Sequence, residues 1–340
     1  MKILKVISLI ALVAVAIGGF LGYKFLIPNV PNDISSNLVQ IPTGSSFDEV
    51  VNILLQKGFI KDESSFRWTA NAMGYSKNVR AGQYSVTKGM RNLFLVNTLL
   101  RRNQTPVKLV IHNKRTIPQV AGFLSTLFEA DSLSFLNAFS DETFLNQFGY
   151  NKATAMTAFI PNTYELYWTL SPKEIFTKMH EEKNKFWDKE QRREKLKQVG
   201  LSESEVYTLA SIVETESQYK PERPNIAGVY LNRLREGMPL QADPTLVFAH
   251  NDFTIQRVRS HHKDIVSPYN TYKNKGLPPG PIYMSSISSI DAVLNYNDHD
   301  YLYFCAKPDN SGAHNFAKTF EQHVVNANNY RSWLDKQGVE

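Results

Sequence analysis

The sequence predicts an α+β protein in three parts: an N-terminal transmembrane helix, a small α+β module, and a larger mixed α+β domain. Three features predict it. Residues 6–23 form an apolar run without a charge. From residue 38 to about 112, short strand-like segments alternate with capped amphipathic helices. Beyond that, an apolar helical stripe at 206–217 is followed by loops dense in Pro, Gly, Asn and Tyr.

The chain has 340 residues, room for two or more domains. Its 38 Lys and Arg exceed 32 Asp and Glu, for a net charge of +6, but no Lys/Arg block stands out. Nucleic acid is therefore excluded as a partner. A mild basic excess suits an anionic surface such as a membrane or a cell-wall polymer, and equally plain solubility. Cys305 is the only cysteine, so an intramolecular disulfide is excluded. His261 and His262 lack the spacing of a zinc motif, and neither metal nor cofactor is expected.

Lys2 and Lys5 precede the apolar run and Lys24 follows it. The run reaches the length that spans a bilayer, and the lysine bias places the N-terminus in the cytoplasm. The expected division is a cytoplasmic tail at 1–5 and an anchor at 6–27. The alternative is a signal peptide cleaved after Ala14-Val15-Ala16; the apolar run continues past that point through Phe20 and Leu21 and on to Phe25-Leu26-Ile27. Either way the remaining chain lies on the extracytoplasmic side of the inner membrane.

Residues 28–36, rich in Pro, Asn and Ser, read as a linker. Residues 38–41 read as a strand. Ser46-x-x-Glu49 caps a helix that Gly58 ends. A helix at 63–73, a strand at 83–86 and a helix at 92–101 complete a module over 37–107. It carries no clustered acid, base or nucleophile, which suits binding or spacing. The second domain, 108–340 with its core at about 155–330, starts with a strand at 107–112. Helices at 117–128 and 133–139 follow, then an aromatic, turn-rich stretch at 159–164. A highly charged helix is expected over 176–199, another over 225–234, and loops up to 284. A helix at 287–295, a strand at 301–306 and a largely helical tail over 316–334 close the chain.

The central helix carries the chemistry. Ser202 and Glu205 form a capping box. Val206, Leu209, Ala210, Val213 and Ser217 follow on one stripe, and Pro221 and Pro224 stop the helix. At ~100° per residue, Leu209, Ile212 and Val213 bracket Glu216, whereas Glu214 falls to the far edge, where water can reach it. Burial disfavours the ionised form and should raise the pKa of Glu216, which suits a general acid. The same residue also fits the polar flank of an ordinary amphipathic helix. The loops downstream tip the balance: Pro239–Thr245, Pro268–Tyr272, Gly276–Ile282 and Gly312–Phe316 supply amides, hydroxyls and aromatic faces. Those are the groups a sugar chain needs, for hydrogen bonds to its hydroxyls and for stacking on its C–H faces.

These segments resemble the YceG-like endolytic murein transglycosylase family (MltG-type). The motifs are Ala210-Ser-Ile-Val-Glu-Thr-Glu-Ser217, Asn232-Arg233-Leu234, Leu240-Gln-Ala-Asp-Pro-Thr245, Tyr269-Asn-Thr-Tyr272, Gly276-Leu-Pro-Pro-Gly280 and His314-x-Phe316. Ile41-Pro-Thr-Gly44 and Ala81-Gly-Gln-Tyr84 resemble that family's LysM-like module. Glu216-Ser217, Leu240-Gln241 and Tyr269-Asn270 are similar to signatures of lytic transglycosylases more widely, with Leu240 where the wider signature has Met. The resemblance implies a LysM-like module, a lysozyme-like catalytic helix, and Glu216 as the catalytic acid. It implies Ser217, Asn232, Gln241, Asp243, Thr245, Tyr269, Asn270, Tyr272 and His314 as substrate-binding residues. The implied reaction cuts the MurNAc-β-1,4-GlcNAc bond within nascent peptidoglycan strands without water, leaving a 1,6-anhydroMurNAc end and ending elongation. Peptidoglycan strands, the inner membrane and peptidoglycan synthases are the implied partners. Two alternatives stay open: a muramidase-type hydrolase using Asp243 as second carboxylate, and a non-catalytic wall-binding protein.

Overall fold

The computed structural model describes residues 2–101 and 104–337, apart from the side chains of residues 2–6, 17, 20 and 21. The chain divides into two units. The first holds the residues up to Leu109, together with Leu127–Ala130 and Glu165–Ser171. Its elements are α1 (Lys2–Leu26), β1 (Leu38–Ile41), α2 (Phe47–Gln56), α3 (Glu63–Ala72), β2 (Gly82–Ser85) and α4 (Asn92–Leu100). β1 and β2 pair antiparallel, with Val39 opposite Tyr84 and Ile41 opposite Gly82. Val39 and Ile41 point inward on the two-residue period of a strand. They meet Val50, Val51 and Leu54 of α2, Phe66 and Ala70 of α3, and Leu95 and Leu99 of α4 in one core. Each such Val, Leu or Phe adds about 1.5–3 kcal/mol of transfer free energy. The capping box of α2 forms: Glu49 N–H donates to Ser46 Oγ, and Ser46 N–H donates to the Glu49 carboxylate at 2.7 Å.

Residues 28–36, expected to be a linker, belong to this unit. Val30 is buried, and the Asn29 carboxamide accepts from the N–H groups of Lys61 and Asp62 while donating to Asn92 at 2.8 Å. The expected anchor falls within α1. No helix among the described residues is long and apolar enough to cross a membrane.

Two further strands, β3 (Val107–Ile111) and β4 (Asn162–Leu166), pair with each other. The second unit holds α5 (Ile117–Ser125), α6 (Ser132–Ser140), α7 (Glu142–Asn146), α8 (Pro172–Trp187), α9 (Arg192–Val199), α10 (Glu203–Glu216), α11 (Arg223–Arg235), α12 (Asp243–His250), α13 (Ile287–Leu294), β5 (Tyr303–Ala306), β6 (His314–Ala317) and α14 (Phe320–Gln337). α10 is its axis. Every side chain from Val206 to Val213 is buried, and the helix packs on α11, α12 and α13. Around Phe176 of α8, the rings of Phe139, Phe144, Tyr150 and Phe159 lie 5.5–5.8 Å away, in tilted and edge-to-face contacts.

Three expectations are corrected here. The single helix over 176–199 is two, because Glu190 and Gln191 turn into left-handed backbone at φ 57°. That turn swings Arg192 inward, where it meets Asp291 at 2.8 Å and caps the Phe186 carbonyl. The loop expected after Arg235 contains α12, entered through Pro244 in its first turn. The start of the expected C-terminal helix is instead β6, paired antiparallel with β5 so that Ala306 faces His314.

The Gly276–Gly280 stretch has a packing reason. A Cβ on Gly280 would lie 2.0 Å from the Ala153 carbonyl oxygen. Gly280→Ala should therefore cost about 3 kcal/mol or prevent folding. Urea unfolding checks this, and an unchanged midpoint would contradict it.

Candidate active site

α10 is fixed at its start by the capping box, in which Glu205 N–H donates to Ser202 Oγ and Ser202 N–H donates to Glu205 at 2.8 Å. Its last residue, Glu216, points into a cavity of about 250 Å³. Leu240, Gln241, Asp243, Phe304 and His323 line the same space, with Tyr230, Arg233 and Tyr272. The Tyr230 hydroxyl, on buried α11, donates to Glu216 Oε2 at 3.2 Å. Arg233, one turn on, is buried and donates to the carbonyls of Leu240 and Leu302, which shapes the loop entering the cavity. Gln241 takes left-handed backbone at φ 56°, held by its N–H to the Thr271 carbonyl. Non-glycine residues adopt that conformation when the surroundings enforce it. Asp243 opens α12 and accepts the Tyr272 hydroxyl at 2.5 Å.

Burial pushes the Glu216 carboxyl up to about 7, and the Asp243 charge adds to the rise; the Tyr230 hydrogen bond and Arg233 oppose it. Between pH 4.5 and about 7 the folded protein keeps a proton that the unfolded chain releases, so stability falls as pH rises through that window. Glu216→Gln removes that loss. The variant should gain on the order of 3 kcal/mol relative to wild type between pH 4 and pH 8. Denaturant titrations at both pH values check it; a difference independent of pH would contradict it.

Of the residues implied as site members, Glu216, Gln241, Asp243 and Tyr272 share the cavity. The others do not line it. Ser217 is buried and donates to Glu222 at 2.8 Å, and the same carboxylate holds the His314 ring at 2.6 Å, tying the end of α10 to β6. Asn232 donates to the carbonyls of His299 and Tyr301. Thr245 bonds the Ala242 carbonyl. Asn270 donates to the carbonyls of Lys263 and Ile265 and accepts from Tyr272 N–H, which sets the Tyr272 ring. Tyr269 packs on Phe248 with ring centres 4.7 Å apart. Ser217, Asn232, Thr245 and Asn270 thus bond protein groups around the cavity.

Glu214 is also corrected. It was expected in water at the edge of α10. Its side chain is only 18% exposed, lies 3.3 Å from Arg223, and accepts from Ser286 and Ser289 at the start of α13. Tyr230, Arg233, Phe304 and His323 were missed. Tyr230 lies in phase with Ile226 and Val229 and reads as core, and Arg233 sits in the Asn232-Arg233-Leu234 motif, where Asn232 is the implied site residue. No local pattern marks Phe304 or His323. Among the described residues, no group of three or more His, Cys, Asp or Glu side chains could hold a metal ion.

Residues 39–329 match the sequence pattern of the YceG-like family. The chain belongs to the YceG-like family. An endolytic murein transglycosylase of Bacillus subtilis (strain 168) is 32% identical over 327 residues, covering 90% of this chain and 88% of the relative. An endolytic murein transglycosylase of Streptococcus pneumoniae (strain D39) is 29% identical over 333 residues, and the match spans 60% of its length. The crystal structure of a yceG-like protein from Listeria monocytogenes matches 85% of this chain and 98% of its own, with a TM-score of 0.55 and 30% identity. The mixed α+β architecture is thus that of the YceG-like fold.

Proposed function

We propose that this YceG-like protein is an endolytic lytic transglycosylase that cuts the MurNAc-β-1,4-GlcNAc bond of peptidoglycan. The observation that carries the reading is Glu216: one carboxyl held near 7 at the floor of a cavity, bonded by Tyr230 and faced by Asp243. The names of its relatives support it. Protonated Glu216 gives its proton to the glycosidic oxygen as that oxygen leaves muramyl C1. The muramyl C6 hydroxyl oxygen attacks C1 and hands its proton to the Glu216 carboxylate. The C1–O4 bond breaks, a C1–O6 bond forms, and Glu216 ends as it began. A carboxyl poised between its two forms suits both transfers. Tyr230 keeps Oε2 aimed, and the Asp243 charge lies where positive charge develops on the sugar.

Asp243 also supports a second reading, a hydrolase with two carboxylates in one cavity. Digestion in ¹⁸O-labelled water separates them. Anhydro ends free of ¹⁸O fit the transglycosylase; labelled reducing ends fit the hydrolase.

Residues 37–107 are read as a LysM-like module that holds the glycan, and α1 as an inner-membrane anchor with the chain after it on the extracytoplasmic side. What supports the anchor is the row of exposed apolar side chains at Ile7, Leu9, Ile10, Leu12, Val13 and Val15. Anchoring places the enzyme beside nascent strands and the synthases that make them. The catalytic assignment of Glu216 and the sugar contacts of Gln241, Asp243 and Tyr272 belong to this same reading.

A further inference from the structure

A second, larger cleft of about 550 Å³ adjoins the Glu216 cavity, and Asp243 lines both. Arg115 faces into it from the turn before α5. Its guanidinium lies 4.8 Å from the centre of the Phe253 ring and 5.6 Å from that of Tyr283. The backbone there is fixed, since Met284 N–H donates to the Lys114 carbonyl at 2.8 Å and Arg115 N–H donates to Gln119. Arg115 makes no ion pair among the described residues. The two carboxylates that line the cleft are committed elsewhere, Glu214 to Arg223 and Asp243 to Tyr272. Arg257 adds a second cation at the rim.

A guanidinium held against two rings loses little freedom on binding and keeps its planar fork open to a carboxylate. We infer that this cleft is a substrate subsite for a carboxylate-bearing substituent of the glycan, with Arg115 as its anion-binding group. In peptidoglycan such carboxylates are carried by the peptide stems, so the subsite selects stem-bearing strands. The inference rests on the transglycosylase reading for its substrate.

The test uses glycan strands with free stem carboxylates and the same strands amidated with carbodiimide. Binding is read with the full-length Glu216→Gln variant, and turnover with the wild type. Hydrogen bonds between charged groups imply a preference of about tenfold or more for the free strands. Arg115→Gln should bring that ratio close to one, mainly through KM, and Arg115→Lys should recover part of it. The inference is overturned if wild type cuts and Glu216→Gln binds both strands equally. It is also overturned if Arg115→Gln slows both by one factor, the sign of a structural role. Should Arg115→Gln fail to fold, the binding ratio of Glu216→Gln alone decides. Loss of the transglycosylase reading shows differently: reducing ends, or no product from either strand, with the binding ratio intact.

Discussion

Glu216→Gln should lower the rate of anhydro-end formation by at least ~10²-fold and toward ~10⁴-fold, the usual range for general acid–base catalysis by one group. Gln keeps the size of the side chain and can still accept from Tyr230, but it neither gives nor takes a proton. The wild-type rate should peak near the raised pKa of about 7. Below it the carboxylate needed for the C6 hydroxyl runs short; above it the acid needed for the leaving oxygen does. Steady-state rates on purified sacculi across pH check both statements. A Glu216→Gln variant that keeps a tenth of the activity would contradict them.

Glu214→Gln should act on stability. Glu214 pairs with buried Arg223 and receives the hydroxyls of Ser286 and Ser289, so it joins α10, α11 and α13. Neutralising it leaves Arg223, among the described residues, with the Ser217 carbonyl and the Ser289 hydroxyl. Removing one partner of a buried pair costs on the order of 3 kcal/mol. Chemical denaturation should show this loss, while activity well below the melting temperature falls far less than in Glu216→Gln. An unchanged midpoint would mean that Arg223 is satisfied without the carboxylate.

The contrast between these glutamates shows what a sequence can carry. The capping box at Ser202, the buried stripe of α10 and the strand-like segments at 38–41 and 83–86 are local signals, set by period and by caps within a few residues. They were legible. The helical wheel also aimed Glu216 correctly, but it could not see that α13 arrives on the side of Glu214. The partners there, Ser286 and Ser289, are some 70 residues away in sequence. The same limit hid Arg115, whose rings come from Phe253 and Tyr283. It hid His323 as well, brought to the cavity by α14. The missed break between α8 and α9 has another cause: no Gly or Pro marks it, and tertiary pull on Arg192 overrides a good helical composition. The motifs Asn232-Arg233-Leu234 and Tyr269-Asn-Thr-Tyr272 each bring one side chain to the cavity, Arg233 and Tyr272, and only the second of these stood among the implied site residues.

The central claim is that one carboxyl, Glu216, both gives and receives the proton because its environment holds it near neutrality. Carbon-13 NMR of the full chain labelled at glutamate carboxyls, with the Glu216 signal assigned by its absence in Glu216→Gln, measures this directly. The expected result is a single titration with its midpoint near 7. A midpoint near 4.5, where an ordinary glutamate titrates, would contradict it.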